Sequence, residues 1–389
     1  MAGSFPLSVP AAANAEVVVS KKDAVIPWYL WCAILSVTSA IIGGHWDISW
    51  HRSIGRDTFW TPAHIAIYAC GVLAGVSCAY LILSRTFAQT GDEATIRMWG
   101  FRGPLGAFLA AWGGVAMLTS APFDDWWHNA YGLDVKIVSP PHVLLILGTL
   151  MIMMGALMLT LGRMNRTSGA DRRKLDAVFL YIGAMILVLV MVFLMEMTTR
   201  ISMHQAAFYQ KMAMTAPVIL LGLARASGLR WAATITAGIY TLALCLFVWI
   251  LPLFPAEPKL GPVFYPTTRF VPPEFPLLLI VPAFALDVLR GRSWNKWLLA
   301  AVSGSLFLAL FAIVQWPFAE FLMSPASRNW IFGTHYFGYY VHPQSYTFRN
   351  LFIPTEPAFW RGMAVAVGIA ILSARAGLGW GDWMRRIRR

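Results

Sequence analysis

Charge is scarce in this 389-residue chain: only 12% of its residues are Asp, Glu, Lys or Arg, about half the share of an ordinary soluble domain. With 58% hydrophobic residues there is too little polar surface to cover a water-soluble core, so a soluble globular protein is excluded. Cysteine is scarce as well. Cys32, Cys70, Cys78 and Cys245 all fall inside apolar runs, which leaves them as small packing residues rather than a disulfide framework. The alternating ten-residue segments of a β-barrel are missing. The stretch before Pro27 lacks a signal peptide's order of basic, apolar and small-residue segments, so residues 1–26 are expected to form a cytoplasmic tail. A continuous basic surface is also missing. The formal net charge is +12, but the Lys and Arg residues sit in short clusters between apolar runs. They read as topology signals, and the expected partner is the lipid bilayer rather than nucleic acid.

What is present is a series of apolar runs near 27–45, 62–84, 104–122, 140–162, 175–198, 208–224, 231–253, 275–289, 297–318 and 362–380. A helix needs roughly twenty residues to cross the hydrocarbon core, so the expected fold is all-α, a polytopic integral membrane helical bundle of about ten transmembrane helices. Every second loop is basic: Lys21-Lys22, Arg85 to Arg102, Arg163 to Lys174, Arg225 to Arg230, Arg290 to Lys296, and the run from Arg385 to Arg389. These loops predict both termini in the cytoplasm of a bacterium, with the chain in its inner membrane. All eight histidines, His45, His51, His64, His128, His142, His204, His335 and His342, then fall on the opposite, periplasmic side. An interfacial preference of histidine does not account for that one-sidedness. The last three lie in no repeated pattern and are expected to have a packing or supporting role.

The first four spans contain an internal repeat. Residues 45–68 align with 122–146 if the second copy carries one extra residue. Asp47 and Asp124 start the units, His51 and His128 follow four later, Asp57 and Asp134 come six after those, and His64 and His142 open the next helix behind prolines. An i,i+4 Asp–His pair lies on one helix face, and a short connection can bring the third group opposite it. Two imidazoles and a carboxylate suit copper, iron or zinc. A single His or Asp at a helix end is more often a cap or an anchor than a ligand. The repetition is what argues for metal at Asp47, His51 and His64, and again at Asp124, His128 and His142. His45, Asp57 and Asp134 are candidates for the outer shell. Trp46, Trp50, Trp60, Trp126 and Trp127 read as an interfacial aromatic belt, and Met151, Met153, Met154 and Met158 as packing residues.

The segment WHRSIGRDTFWTPAHIAIY, within residues 47–68, resembles the metal-site segment in the C subunit of the copper membrane monooxygenases, the particulate methane and ammonia monooxygenases. That family pairs an Asp, a His four later and a His thirteen after that, followed downstream by an Asn, His, His site. Asp47, His51 and His64 fall on the first pattern. His128 and His142 match the second, where Asp124 replaces the Asn and adds a negative charge. His45 stands where the family often carries an acidic residue. The resemblance covers roughly residues 40–145, so residues 27–165 are expected to form a C-subunit-like four-helix unit with two metal triads. A looser resemblance to the A subunit runs through 263–350 and suggests that 166–389 is a six-helix, A-like region.

The resemblance implies a copper-dependent monooxygenase component that oxidises a small apolar substrate with O₂. It also implies an oligomer and a B-like subunit with an extracytoplasmic β-domain. Two rival classes remain at this stage. A metal-binding or metal-transport protein without oxygenase activity would need ionisable residues deep in the spans, for which Glu196 and Asp287 are the candidates. A haem-bearing electron carrier would need axial histidines facing one another across helices.

Overall fold

The computed structural model describes residues 25–88, 94–132 and 139–387. It is an all-α bundle. The four helices of the repeat are α1 (Trp28–Ser53), α2 (Pro62–Phe87), α3 (Leu105–Tyr131) and α4 (Pro140–Met164). They are followed by α5 (Gly169–Leu194), α6 (Ala206–Ala226), α7 (Ala232–Ile250), α8 (Ile280–Leu289), α9 (Lys296–Met323), the single turn α10 (Tyr346–Arg349) and α11 (Phe359–Met384). Among the described residues nine helices are long and apolar enough to cross a bilayer, so the chain is a multi-pass membrane protein.

The eighth expected span takes a different form. Its helix, α8, has 10 residues and rises only about 15 Å. The chain reaches it as an extended segment rich in proline, Pro272, Pro273 and Pro276, which cannot donate to a helix. Non-helical backbone is tolerated at membrane depth only where protein covers it and supplies hydrogen bonds. Both conditions are met. Val271, Leu277 and Leu279 are buried. The Val271 N–H donates to Ser53 Oγ (2.7 Å), Leu278 N–H to Gln315 Oε1 (3.0 Å) and Leu277 N–H to the Tyr240 hydroxyl (3.4 Å). The α8 end then reaches the start of α7, where Asp287 accepts from the amides of Ala233 and Thr234. Extended segment and half-helix together take the place of the tenth expected span.

Glycine sets the spacing inside the repeat. A Cβ on Gly155 would lie 2.5 Å from the Gly106 carbonyl oxygen, and one on Gly113 would lie 2.6 Å from that of Gly148. These contacts recur two turns apart on both α3 and α4, so the two backbones touch along a small-residue seam. Gly114 packs in the same way against Gly71 and Gly75 of α2. In the basic loop between α2 and α3 a short antiparallel hairpin forms, β1 (Ile96–Met98) with β2 (Phe101–Gly103). Its two turn residues, Trp99 and Gly100, both have positive φ, the type I′ geometry that matches strand twist.

One apolar core contains residues from Leu30 of α1 through Met384 of α11, so the repeat and the later helices pack as one body. The last turn of α1 is tied most directly to the later chain. Ser49 Oγ donates to the Val271 carbonyl (2.7 Å), Arg52 to that of Pro272 (3.2 Å), and the Lys259 N–H to that of Ile54 (2.8 Å).

Candidate metal centre

The α1 helix continues through Asp47 and His51 to Ser53 and so presents both on one face. Ile54 leaves the helix, and Gly55, at φ +87°, reverses the chain in a conformation that side chains resist. Thr58 and Thr61 then form a closed turn: the Thr58 N–H donates to Thr61 Oγ1 (2.8 Å), and the Thr61 N–H donates to the Thr58 carbonyl (2.9 Å). Pro62 opens α2 and places His64 in its first turn.

Four groups meet as a result. His64 Nε2 lies 3.1 Å from Asp47 Oδ1 and 3.2 Å from Asp57 Oδ2. His51 Nε2 lies 3.5 Å from Asp57 Oδ2 and 3.8 Å from Asp47 Oδ2. The tightest potential ligand set is Asp47, Asp57 and His64, whose donor atoms all lie within 4.8 Å of one another. Asp57, expected in an outer shell, belongs to that potential ligand set and faces both imidazole nitrogens. Its repetition as Asp134 was the sequence signal for this. Burial alone would raise the Asp57 carboxyl, but the hydrogen bond with His64 and the charges of His51, His64 and His128 outweigh it and hold the group below its usual range.

The Thr58 carbonyl adds a contact that no local sequence pattern announces. It accepts from His64 Nδ1 at 2.9 Å, so Nε2 is the nitrogen that faces the two carboxylates. Against the burial of the ring, the hydrogen bonds and charges of Asp47 and Asp57 favour a proton there, and a metal ion would bind Nε2 in competition with that proton. Metal-bound histidines are oriented by this kind of outer contact.

The second triad repeats the arrangement at the next helix pair. The α3 helix passes Pro122 and runs on to Tyr131, so Asp124 and His128 share a face; Pro140 and Pro141 set His142 in the first turn of α4. His128 Nε2 lies 3.3 Å from Asp124 Oδ2, and His142 Nε2 lies 3.5 Å from Asp124 Oδ1. Asp125 is turned away, its carboxylate against Asn129. Asp134 lies outside the described residues.

Both triads share one feature that bears on their chemistry. Asp47 Oδ1 and Asp124 Oδ1 are buried, and each faces an imidazole Nε2, that of His64 at 3.1 Å and that of His142 at 3.5 Å. A desolvated carboxylate is costly without a cation or a donor beside it. A metal ion between the carboxylate and the neutral imidazole would meet that need in place of a proton on the ring. The donor set of two imidazoles with one or two carboxylates fits copper, iron or zinc.

His45 and His204 are engaged elsewhere. His45, expected near site one, instead faces α7: its ring stacks on Phe247 at 4.4 Å and 3°, and Nδ1 donates to the Ile41 carbonyl (2.9 Å). Two residues from Asp47, it lies on another face of α1. His204 is held between Trp316 and Phe352, at 3.9 and 3.8 Å. Aromatic rings thus occupy the faces of both. Trp60 and Trp126 stand exposed beside the triads, in keeping with an interfacial belt, and Met153 and Met158 are buried packing residues.

No family model, curated protein or solved structure matches this chain.

Proposed function

We propose that this protein is a metal-dependent membrane oxygenase component, copper-loaded at two carboxylate–histidine sites, that oxidises a small apolar substrate with O₂. The observation that carries the metal reading is the repeated convergence of two imidazoles on one carboxylate, with the buried oxygens Asp47 Oδ1 at 3.1 Å from His64 Nε2 and Asp124 Oδ1 at 3.5 Å from His142 Nε2. The oxygenase reading adds the resemblance of the 47–68 segment to the copper membrane monooxygenases. Asp47, Asp57, His51 and His64 would hold one ion, and Asp124, His128 and His142 the other. A bound copper would supply the redox chemistry that activates O₂. The chain's own contribution is to fix the ligands on helix ends, to turn His64 Nε2 toward the carboxylates through Thr58, and to keep the sites where an apolar substrate arrives from lipid. Iron fits the same donors, and zinc would fit them without redox chemistry. An oligomer and a B-like subunit with an extracytoplasmic β-domain belong to this proposal through the resemblance alone.

The alternative is a membrane metal-binding or metal-transport protein without oxygenase activity. Transport has little support, because Asp287 is committed to the Ala233 and Thr234 amides and to the Thr234 hydroxyl, so it is a poor stepping stone for an ion. Copper-replete cells expressing the protein supply their own reductant and separate the two readings. With a short alkane they should consume O₂ and form the alcohol, and His64→Ala combined with His128→Ala should abolish the product. Cells whose protein carries full copper and yet form no alcohol would leave metal binding alone.

The basic loops support an orientation with both termini cytoplasmic and both metal sites on the opposite face, the periplasmic one if the membrane is a bacterial inner membrane. Reporter fusions after Arg389 and after Lys174 should be active only as cytoplasmic reporters, and a fusion after Lys259 only as a periplasmic one. The same signal at all three positions would contradict this topology.

A further inference from the structure

At the bundle end opposite the metal sites a cleft of about 400 Å³ opens between the start of α7 and the end of α8, lined by Arg230, Trp231, Asp287, Val288, Arg290 and Gly291. Its charge is unbalanced. Among the described lining residues the one carboxylate, Asp287, is buried and already accepts from the Ala233 and Thr234 amides and the Thr234 hydroxyl; it and Asp176 act on Arg290, but so do the charges of Arg225 and Arg385, and Arg230 adds a further cation. Arg290 donates to the carbonyls of Ser227 and Leu229, which uses two of the five N–H donors of a guanidinium. Arg230 is exposed and lies over the Trp231 ring at 4.7 Å, and that ring is stacked on Phe284 at 5.1 Å.

An apolar track leads away from this basic pocket. Ile280, Phe284 and Val288 recur every four residues on α8 and are 40, 50 and 48% exposed, a half-open apolar stripe along the spanning direction that starts where Trp231 stacks on Phe284. Two arginines and a tryptophan at the head of a lipid-facing stripe match one class of ligand, an anion joined to hydrocarbon chains. Basic pockets between transmembrane helices hold lipid headgroups in this way.

We propose that this cleft binds an anionic phospholipid, with its phosphodiester on Arg230 and Arg290, its glycerol region against Trp231, and an acyl chain along Ile280, Phe284 and Val288. The site is independent of the metal sites, so either proposal can fail without the other.

Native mass spectrometry of the purified full-length protein with added phosphatidylglycerol or phosphatidylcholine tests it. Phosphatidylglycerol should be retained in preference to phosphatidylcholine. Arg230→Gln, an exposed position whose loss leaves the fold intact, should weaken phosphatidylglycerol by about fivefold, the factor for one interfacial arginine. Val288→Asn should weaken both lipids, because it interrupts the track they share. Millimolar inorganic phosphate should displace neither. Equal retention of the two lipids, unchanged binding in Arg230→Gln, or displacement by inorganic phosphate would each overturn the proposal, the last by assigning the cleft to a soluble anion.

Discussion

Replacing His64 by alanine is expected to weaken metal binding at site one by more than about 100-fold, because outer contacts alone are worth roughly 10- to 100-fold and His64 is the group on which the site converges. Its Nε2 is the nitrogen closest to both carboxylates, and the Thr58 carbonyl, by engaging Nδ1, keeps Nε2 turned toward them. His51→Ala should cost less, since its Nε2 stands farther from each carboxylate. Asp57→Ala should also lower affinity at site one, by a factor between those of the two histidines. Site two, carried by α3 and α4, should keep its ion in all three variants. Metal per chain in protein of matched size-exclusion profile measures this. An unchanged site one in His64→Ala would remove His64 from the ligand set.

The second large effect is expected far from any ligand. In Gly155→Ala the new methyl would sit 2.5 Å from the Gly106 carbonyl oxygen and 2.8 Å from the Ala110 amide nitrogen. Those are backbone atoms that cannot rotate aside. Overpacking of a core costs about 1–3 kcal/mol, and a clash of backbone on backbone belongs at the upper end. The α3–α4 seam should therefore open, lowering the thermal midpoint of the detergent-solubilised protein. It should also loosen site two, whose ligands ride on those helices. Gly238→Ala, where a Cβ meets nothing within 4 Å, is the matched control. Equal midpoints for the two variants would show that the seam does not hold the helices.

Much of this architecture was legible in the sequence, for identifiable reasons. Apolar runs of span length report the bilayer, whose thickness fixes the period, so nine of the ten expected crossings are full helices. The tenth departs because three prolines in the run ahead of α8 prevent the helix from starting earlier. Backbone satisfied by Ser53, Tyr240 and Gln315 takes its place, and no local pattern announces partners that are 37 or more residues away. The triads could be anticipated because i,i+4 spacing and helix-opening prolines are local rules, which the continuation of α1 and α3 through their Asp–His pairs obeys. Asp57 was underweighted for the opposite reason. It sits in a loop, and where a loop residue points depends on turns such as Gly55 and Thr58–Thr61 rather than on periodicity. His45 was placed near the metal by its proximity in sequence, whereas its helix face commits it to Phe247.

The central claim is that the two triads hold metal, and elemental analysis of purified protein after copper loading and desalting tests it most directly. The expected result is two ions per wild-type chain, one in His64→Ala, one in His128→Ala, and none in the double variant, with all four proteins eluting at the same size. Full metal in the folded double variant, or none in the wild type, would contradict the account.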